Sequence, residues 1–423
     1  MAGKTRKHRL RQRKSRRRYK GGRFLGKGSY GCTFGFPPLK CTGEAVRKSD
    51  EYISKYIVKD EARKEGIKSK WFKKFDPDDR YFLTASAICD LDVGDIQATD
   101  EFANCHIPIA PRNKLIFFKN AGTDLFKFKP TPDQMIPFYQ SLPHLFEGLA
   151  LAHKNRTYHR DIKLENVVTM QQPDGRFLTR FIDLGLGVTH PIKAITAGQY
   201  YGLFYPYWPF DIYFVYRNDA IVQTRLNRLV AGENFSDRYS LFLGKMIERF
   251  PTLSYPFFKS DRSPFILYDQ MLTILRSPEN LALTFEKRIE LADVYSLGIL
   301  ILQCFRYLGL TVQFDSVSLS GVLNLVYFDN HLQVEFSHFN GAPLFFDDTL
   351  RAWYRNVANK IYLPVLNLVK GLCDSDPTKR WTLEAAKIYY IGILPRIQKY
   401  LTGPQVQAAI DAVAEIPAEI VTT

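Results

Sequence analysis

The feature that most constrains this chain is the nonapeptide Tyr158-His159-Arg160-Asp161-Ile162-Lys163-Leu164-Glu165-Asn166, followed at once by Val167-Val168. It reads H-R-D-x-K-x-x-N, and Asp183-Leu184-Gly185 comes seventeen residues after Asn166. A carboxylate, an ammonium and an amide lie within six residues of chain. One short loop aims all three at a single point only if their spacing is fixed. The oxygens of Asn166 and Asp183 suit a hard cation such as Mg2+. A solvated charged turn would explain any one of these residues, but not five positions together with a downstream D-x-G.

The surroundings read as a folded protein with a charged arm. A chain of 423 residues with 46% hydrophobic content is long enough for two or three packing units around a real core. Aromatic content of 14% argues against disorder for most of it. The net charge of +15 suggests a polyanion-binding protein until it is located. Residues 1–23 hold twelve Lys or Arg and no acid, so removing them leaves +3 for the rest. The basicity belongs to an arm, residues 1–22, too charged to fold alone. Its candidate partners are nucleic acid, an anionic lipid surface or an import receptor, and a purely solvated tail is the alternative. The six cysteines show no C-x-x-C spacing, which argues against a zinc site or a disulfide framework and for a reducing compartment. There is no signal-peptide core, and the apolar run at Leu297–Leu302 is too short to span a bilayer. A soluble, intracellular protein is expected.

In chain order, Gly26-Lys27-Gly28-Ser29-Tyr30-Gly31 is G-x-G-x-x-G between apolar stretches. Glycines let a backbone approach phosphates closely. The pattern alone also fits dinucleotide folds, but Pro37-Pro38 forbids the helix those require, favouring a hairpin. Residues 53–59 alternate as a strand ending at Lys59. Asp60 then caps a helix to Phe75, stopped by Asp76-Pro77, with Ile67, Trp71 and Phe75 on its buried face. Residues 115–118 read as a buried strand, residues 119–125 as a connector, and 133–154 as one helix leading to the loop.

The ordered set of glycine loop, Lys59, Glu65, H-R-D-x-K-x-x-N, Asp183-Leu184-Gly185, Asp293 and Arg380 resembles eukaryotic-type protein kinases, over residues 23 to about 400. The resemblance implies an α+β, bilobal protein-kinase-like fold. A small β-rich lobe (about 23–118) and a hinge (119–125) precede a larger, mainly helical lobe (about 126–400), with an insertion at about 212–290 and a tail at 401–423. It implies ATP and Mg2+ as cofactors, protein hydroxyls as substrate, and Asp161 as base with Lys163 beside it. Lys59 pairs with Glu65, preferred to Glu61, and Asn166 and Asp183 hold the metal. Nucleotide contacts fall to Gly26, Gly28, Gly31, Thr33, Ile57, Lys59, Phe118, Asn120, Asp124 and Val168, with Phe117 closing the pocket. Asp293 would accept the amides around His159 and Arg160, and Arg380 would pair with Asp211 or Glu279. Lys163 after the catalytic aspartate looks like the serine/threonine class.

The chain is similar, more closely, to serine/threonine kinases of nucleocytoplasmic large DNA viruses. The short span from Lys59 to Glu65, Phe75-Asp76-Pro77 and Tyr207-Trp208-Pro209-Phe210-Asp211 carry this likeness, with the insertion and the basic start. That origin would place it in host cytoplasm or nucleus, or packaged in the virion. Asp-Leu-Gly replaces the usual D-F-G, and an ordinary A-P-E is missing. A pseudokinase scaffold and a small-molecule phosphotransferase are the alternative readings. Thr189 and Thr196 are candidate regulatory phosphorylation sites that could pair with Arg160.

Overall fold

The computed structural model describes residues 22–28, 30–35, 38–42, 51–92, 100–110, 112–192, 207–209, 212, 277–305, 359–374 and 376–402. The basic arm, most of the expected insertion, Thr196, Asp211 and the chain beyond Thr402 lie outside them. The architecture is α+β, with antiparallel sheets and helices, divided into two units. The first unit is residues 1–63 with 85–120, and the second is 64–84 with 121–423.

The first unit is built on an antiparallel sheet of β1 (Phe24–Gly28), β2 (Gly31–Phe34), β3 (Tyr52–Ile57), β4 (Ala87–Asp90) and β5 (Lys114–Lys119). Their order is β1-β2-β3-β5-β4. Strand side chains alternate between faces, and the register assigns each face. Cys32, Phe34, Tyr56, Leu115 and Phe117 are all buried on one face, in a core with Leu39 and Phe102. The other face takes Gly26 opposite Thr33, Gly28 opposite Gly31, Gly31 opposite Ile57, Thr33 opposite Lys55, and Phe118 opposite Ile53. Phe117 therefore packs in the core rather than closing a pocket on the glycine-loop face. Phe118 is the β5 aromatic on that face.

The cysteines require a correction. Cys32 is bonded to Cys105 and Cys41 to Cys89, across 73 and 48 residues of chain, while Cys304 and Cys373 are buried thiols. Local spacing could not show this, because sheet pairing creates both contacts. Cys32 lies on the core face of β2 beside the 3-10 turn Asp100–Asn104, and Cys41 bridges Leu91 next to β4. The cysteine pattern thus gives no argument for a reducing compartment.

In the second unit, β6 (Thr123–Asp124), β8 (Val167–Gln171) and β9 (Phe177–Phe181) form one sheet in the order β6-β8-β9. β7 (Thr157–Tyr158) pairs with β10 (Val188–Thr189). The expected single helix 133–154 is two, α2 (Pro132–Ser141) and α3 (Pro143–Lys154). Pro143 has no N–H to continue the ladder and fits the first turn of a new helix. Among the described residues, helices α4 (Pro278–Leu281), α5 (Phe285–Cys304), α6 (Asn359–Leu372) and α7 (Leu383–Leu401) follow. The sequence of α5 is apolar on nearly every side, and the helix is buried almost throughout, as such a helix must be. Thr284 and Thr382 cap α5 and α7 by accepting the N–H groups of Lys287 and Ala385. Among the described residues no helix is long and apolar enough to cross a membrane.

Helix α1 (Lys59–Lys73) starts two residues earlier than expected and turns a different face inward. Glu65, Ser69 and Phe72 are buried, spaced four and three apart, whereas Ile67 is exposed. The buried stripe thus includes a carboxylate, which apolar periodicity alone passes over. Beyond the helix, buried Asp76 accepts the N–H groups of Arg80, Tyr81 and Phe82 at 2.9, 2.8 and 2.8 Å. That turn lays Phe82 parallel to Phe181, and the Leu83 N–H donates to the Phe181 carbonyl at 2.8 Å. The end of β9 is fixed there, two residues before Asp183.

Candidate active site

The loop 159–166 is anchored from below by one carboxylate. Asp293, 1% exposed within α5, accepts the His159 N–H at 2.8 Å and the Arg160 N–H at 2.7 Å. Trp208 donates its indole N–H to the Arg160 carbonyl at 2.9 Å. These bonds hold Arg160 at a φ of 67°, a conformation unfavourable for a residue with a Cβ. The Arg160 guanidinium donates to the Leu186 carbonyl at 3.0 Å and lies over the Trp208 ring. It is committed to those groups, so a phosphate would have to displace them. Thr189 sits in β10 with its hydroxyl 3.0 Å from that of Thr157.

Above the anchor, the polar side chains converge. Lys163 Nζ is 3.3 Å from Asp161 Oδ2. Asn166 Nδ2 donates to the same oxygen at 2.6 Å and to the Asp161 carbonyl at 2.8 Å. The Asn166 amide is thereby turned so that its oxygen is the atom left to bind a cation. The Ile182 N–H donates to the Asn166 carbonyl at 2.9 Å, joining the loop to the segment that carries Asp183. Asp183 has a φ of 56° and precedes a 3-10 turn, Leu184–Leu186. A Cβ at Gly185 would come within 3.1 Å of its carboxylate. Lys68 of α1 donates to the Gly185 carbonyl, fixing the other side of this turn.

His159 is the internal strut of the loop. It is fully buried, its Nδ1 accepts the Asp161 N–H at 3.2 Å, and Nε2 lies 3.1 Å from the Ile182 carbonyl. Both contacts are satisfied by the neutral ring protonated on Nε2. Burial holds its pKa below the usual 6.5, outweighing the attraction of Asp293. Above the usual value both folded and unfolded chains keep this ring neutral. As pH falls through it, the unfolded chain takes up the proton first, so the folded state loses stability. The unfolding free energy should drop between about pH 7.5 and about 5.5, by up to ~1.4 kcal/mol per pH unit. His144, also depressed mainly by burial, adds a slope of the same sign. Denaturant midpoints across that range should therefore show a smaller slope in His159→Asn than in the parent. Equal slopes would remove His159 from the account.

A second cluster ties β7 and β10 to α5. Glu286, in the first turn of α5, accepts from Arg156 Nε at 2.8 Å and from the Tyr158 hydroxyl at 2.9 Å, and lies 3.2 Å from His190 Nδ1. The Arg156 hydrogen bond, ahead of the others, holds its carboxyl below the usual range.

Gly26, Gly28, Gly31, Thr33, Ile57 and Phe118 share one face of the first unit's sheet. Lys59 does not end β3, which stops at Ile57. It opens α1 and is exposed, whereas Glu65 is 4% exposed. Lys55, paired with Thr33, is the strand lysine on the glycine-loop face. Strand alternation from Ile57 was the signal that could have found it. The Asn120 N–H donates to the Glu51 carbonyl at 2.5 Å. Asp124 pairs with Val168 across β6 and β8, and its carboxylate accepts the Lys127 N–H at 3.0 Å, closing its own turn. Arg380 is buried against carbonyls, donating to those of Asp374 at 2.9 Å and Leu291 at 3.2 Å, over the Tyr295 ring. Glu279 is exposed at the start of α4, and Asp211 lies outside the described residues.

Among the described residues no group of three or more His, Cys, Asp or Glu is placed to hold a metal. One carboxylate and one amide oxygen, from Asp183 and Asn166, nevertheless fit a hard cation that keeps much of its coordination for water and phosphate oxygens. Neither the family models nor the curated proteins compared with the chain match it.

Proposed function

We propose that this chain is a serine/threonine protein kinase of bilobal fold, transferring the γ-phosphoryl group of Mg·ATP to protein hydroxyls. The observation that carries the reading is the convergence of Lys163 and Asn166 on one carboxylate oxygen of Asp161, at 3.3 and 2.6 Å, on a loop held by Asp293. A solvated turn has no need of a buried carboxylate accepting two of its amides. Mg·ATP, when bound, supplies the transferable group and the cation that offsets its charge. Asp161 accepts the hydrogen bond of the attacking hydroxyl, orients it and takes its proton. Lys163 supplies positive charge next to that carboxylate, and Asn166 and Asp183 are the cation's oxygen ligands. The glycine-loop face, with Gly26, Gly28, Gly31, Thr33, Ile57 and Phe118, is assigned to the nucleotide. Asn120, Asp124 and Val168 complete the set. The phosphate-binding lysine is Lys55 or Lys59.

The likeness to kinases of large DNA viruses suggests the same origin here, and the basic arm suggests a nucleic-acid or anionic-surface partner. The test is incubation with Mg·ATP and a basic protein, followed by analysis of the phosphorylated amino acids. Phosphoserine or phosphothreonine is the expected product. Phosphate found only on added small-molecule alcohols or aminoglycosides would replace this reading with the small-molecule phosphotransferase.

A further inference from the structure

The outer face of α7 is left uncovered by the described residues. Ile388 and Ile391 are 62% and 46% exposed, Pro395 is exposed, and a Cβ placed on Gly392 would meet nothing within 4 Å. These four lie on one side of the helix, opposite Tyr390, Ile393 and Ile397, which are buried in the core. A single exposed isoleucine is ordinary, but an apolar stripe along two turns marks a surface that packs on something.

The chain carries a segment that fits it. Residues 404–416 read Pro-Gln-Val-Gln-Ala-Ala-Ile-Asp-Ala-Val-Ala-Glu-Ile, placing Val406, Ala409, Ile410, Val413 and Ile416 at helical spacing. Pro404 suits a first helical position, and Pro417 ends the helical stretch at Ile416. Only Thr402 and Gly403 separate Pro404 from Leu401, the last residue of α7. A helical segment reversing after so short a link would run antiparallel to α7 and would bring Ile410 abreast of Leu394, Val413 of Ile391, and Ile416 of Ile388. Thirteen helical residues span about 20 Å, close to the ~17 Å from Ile388 to Lys399. Asp411 and Glu415 fall on the side of this segment opposite its apolar positions, as an amphipathic helix requires. A helix this short is marginal in water on its own, but the tether sets an effective concentration of order millimolar. We propose that residues 404–416 dock as an amphipathic helix on the Ile388–Ile391–Pro395 face of α7.

The test uses the full chain with paired substitutions Ile391→Cys and Val413→Cys under mild oxidant, read by mass spectrometry of the joined peptides. The expected result is an intramolecular link formed at least about tenfold faster than in the out-of-register pair Ile391→Cys and Asp411→Cys. Equal rates in the two pairs would overturn the proposal. So would links that join two molecules, which would assign the face to a second copy. A second readout needs no cysteine. Amide exchange across 404–416 should speed up about tenfold or more in Ile388→Glu/Ile391→Glu, and unchanged exchange would overturn the docking. Neither readout depends on phosphoryl transfer.

Discussion

Asp161→Asn should lower kcat by about 10²–10⁴ while leaving nucleotide affinity nearly unchanged, since removing general-base help typically has that effect. The substitution keeps the loop's frame. The Asn166 side chain still donates to the backbone carbonyl of residue 161, and Asp293 still accepts the amides of His159 and Arg160. What disappears is the carboxylate beside Lys163. A fall in kcat without a rise in KM is the signature of an interaction made only in the transition state. Asp183→Asn should behave differently, weakening the Mg2+-dependent part of nucleotide binding itself. Steady-state kinetics and calorimetric titration of both variants separate the roles. Unchanged turnover in Asp161→Asn would remove the assignment.

Breaking the disulfides should cause the largest change in stability. Chain-entropy estimates for loops of this length give about 4 kcal/mol for each bond, with native-state relaxation able to reduce the effect. That is comparable with the whole stability of many domains. Both bonds lie in the core of the first unit, and Cys32 immediately follows Gly31. Cys32→Ser/Cys105→Ser should therefore lower the denaturant midpoint of that unit and, with it, nucleotide affinity. Reductant should act slowly on the folded chain, because Cys32 is fully buried. Urea titrations with and without reductant measure the difference. Six alkylatable thiols in the purified protein, with an unchanged midpoint under reductant, would contradict both bonds.

The loop was legible in the sequence because its residues act within a few positions of one another, so spacing alone encodes their convergence. Asp293 was legible from its place in the ordered set of motifs, although helix α5 begins at Phe285, well before it. Features set by distant pairing were not legible. Nothing local to Cys32 or Cys105 announces a partner 73 residues away. Strand registry decides whether Phe117 or Phe118 meets the glycine-loop face, and a one-residue slip exchanges them. Lys59 looked like a strand end because alternation runs through it, but helix α1 begins there. Arg380 donates to backbone carbonyls and lies over an aromatic ring, while Asp211, the partner favoured for it, lies outside the described residues.

The most direct measurement is a single turnover, with the purified chain in excess over γ-labelled Mg·ATP and a basic protein present. It registers chemistry even if product release is slow and even if the preferred substrate differs. The account predicts transfer of label to serine or threonine with matching ADP formation, slowed by about 10²–10⁴ in Asp161→Asn. A folded parent chain that binds Mg·ATP and transfers no label would contradict it, leaving a nucleotide-binding scaffold in place of an enzyme.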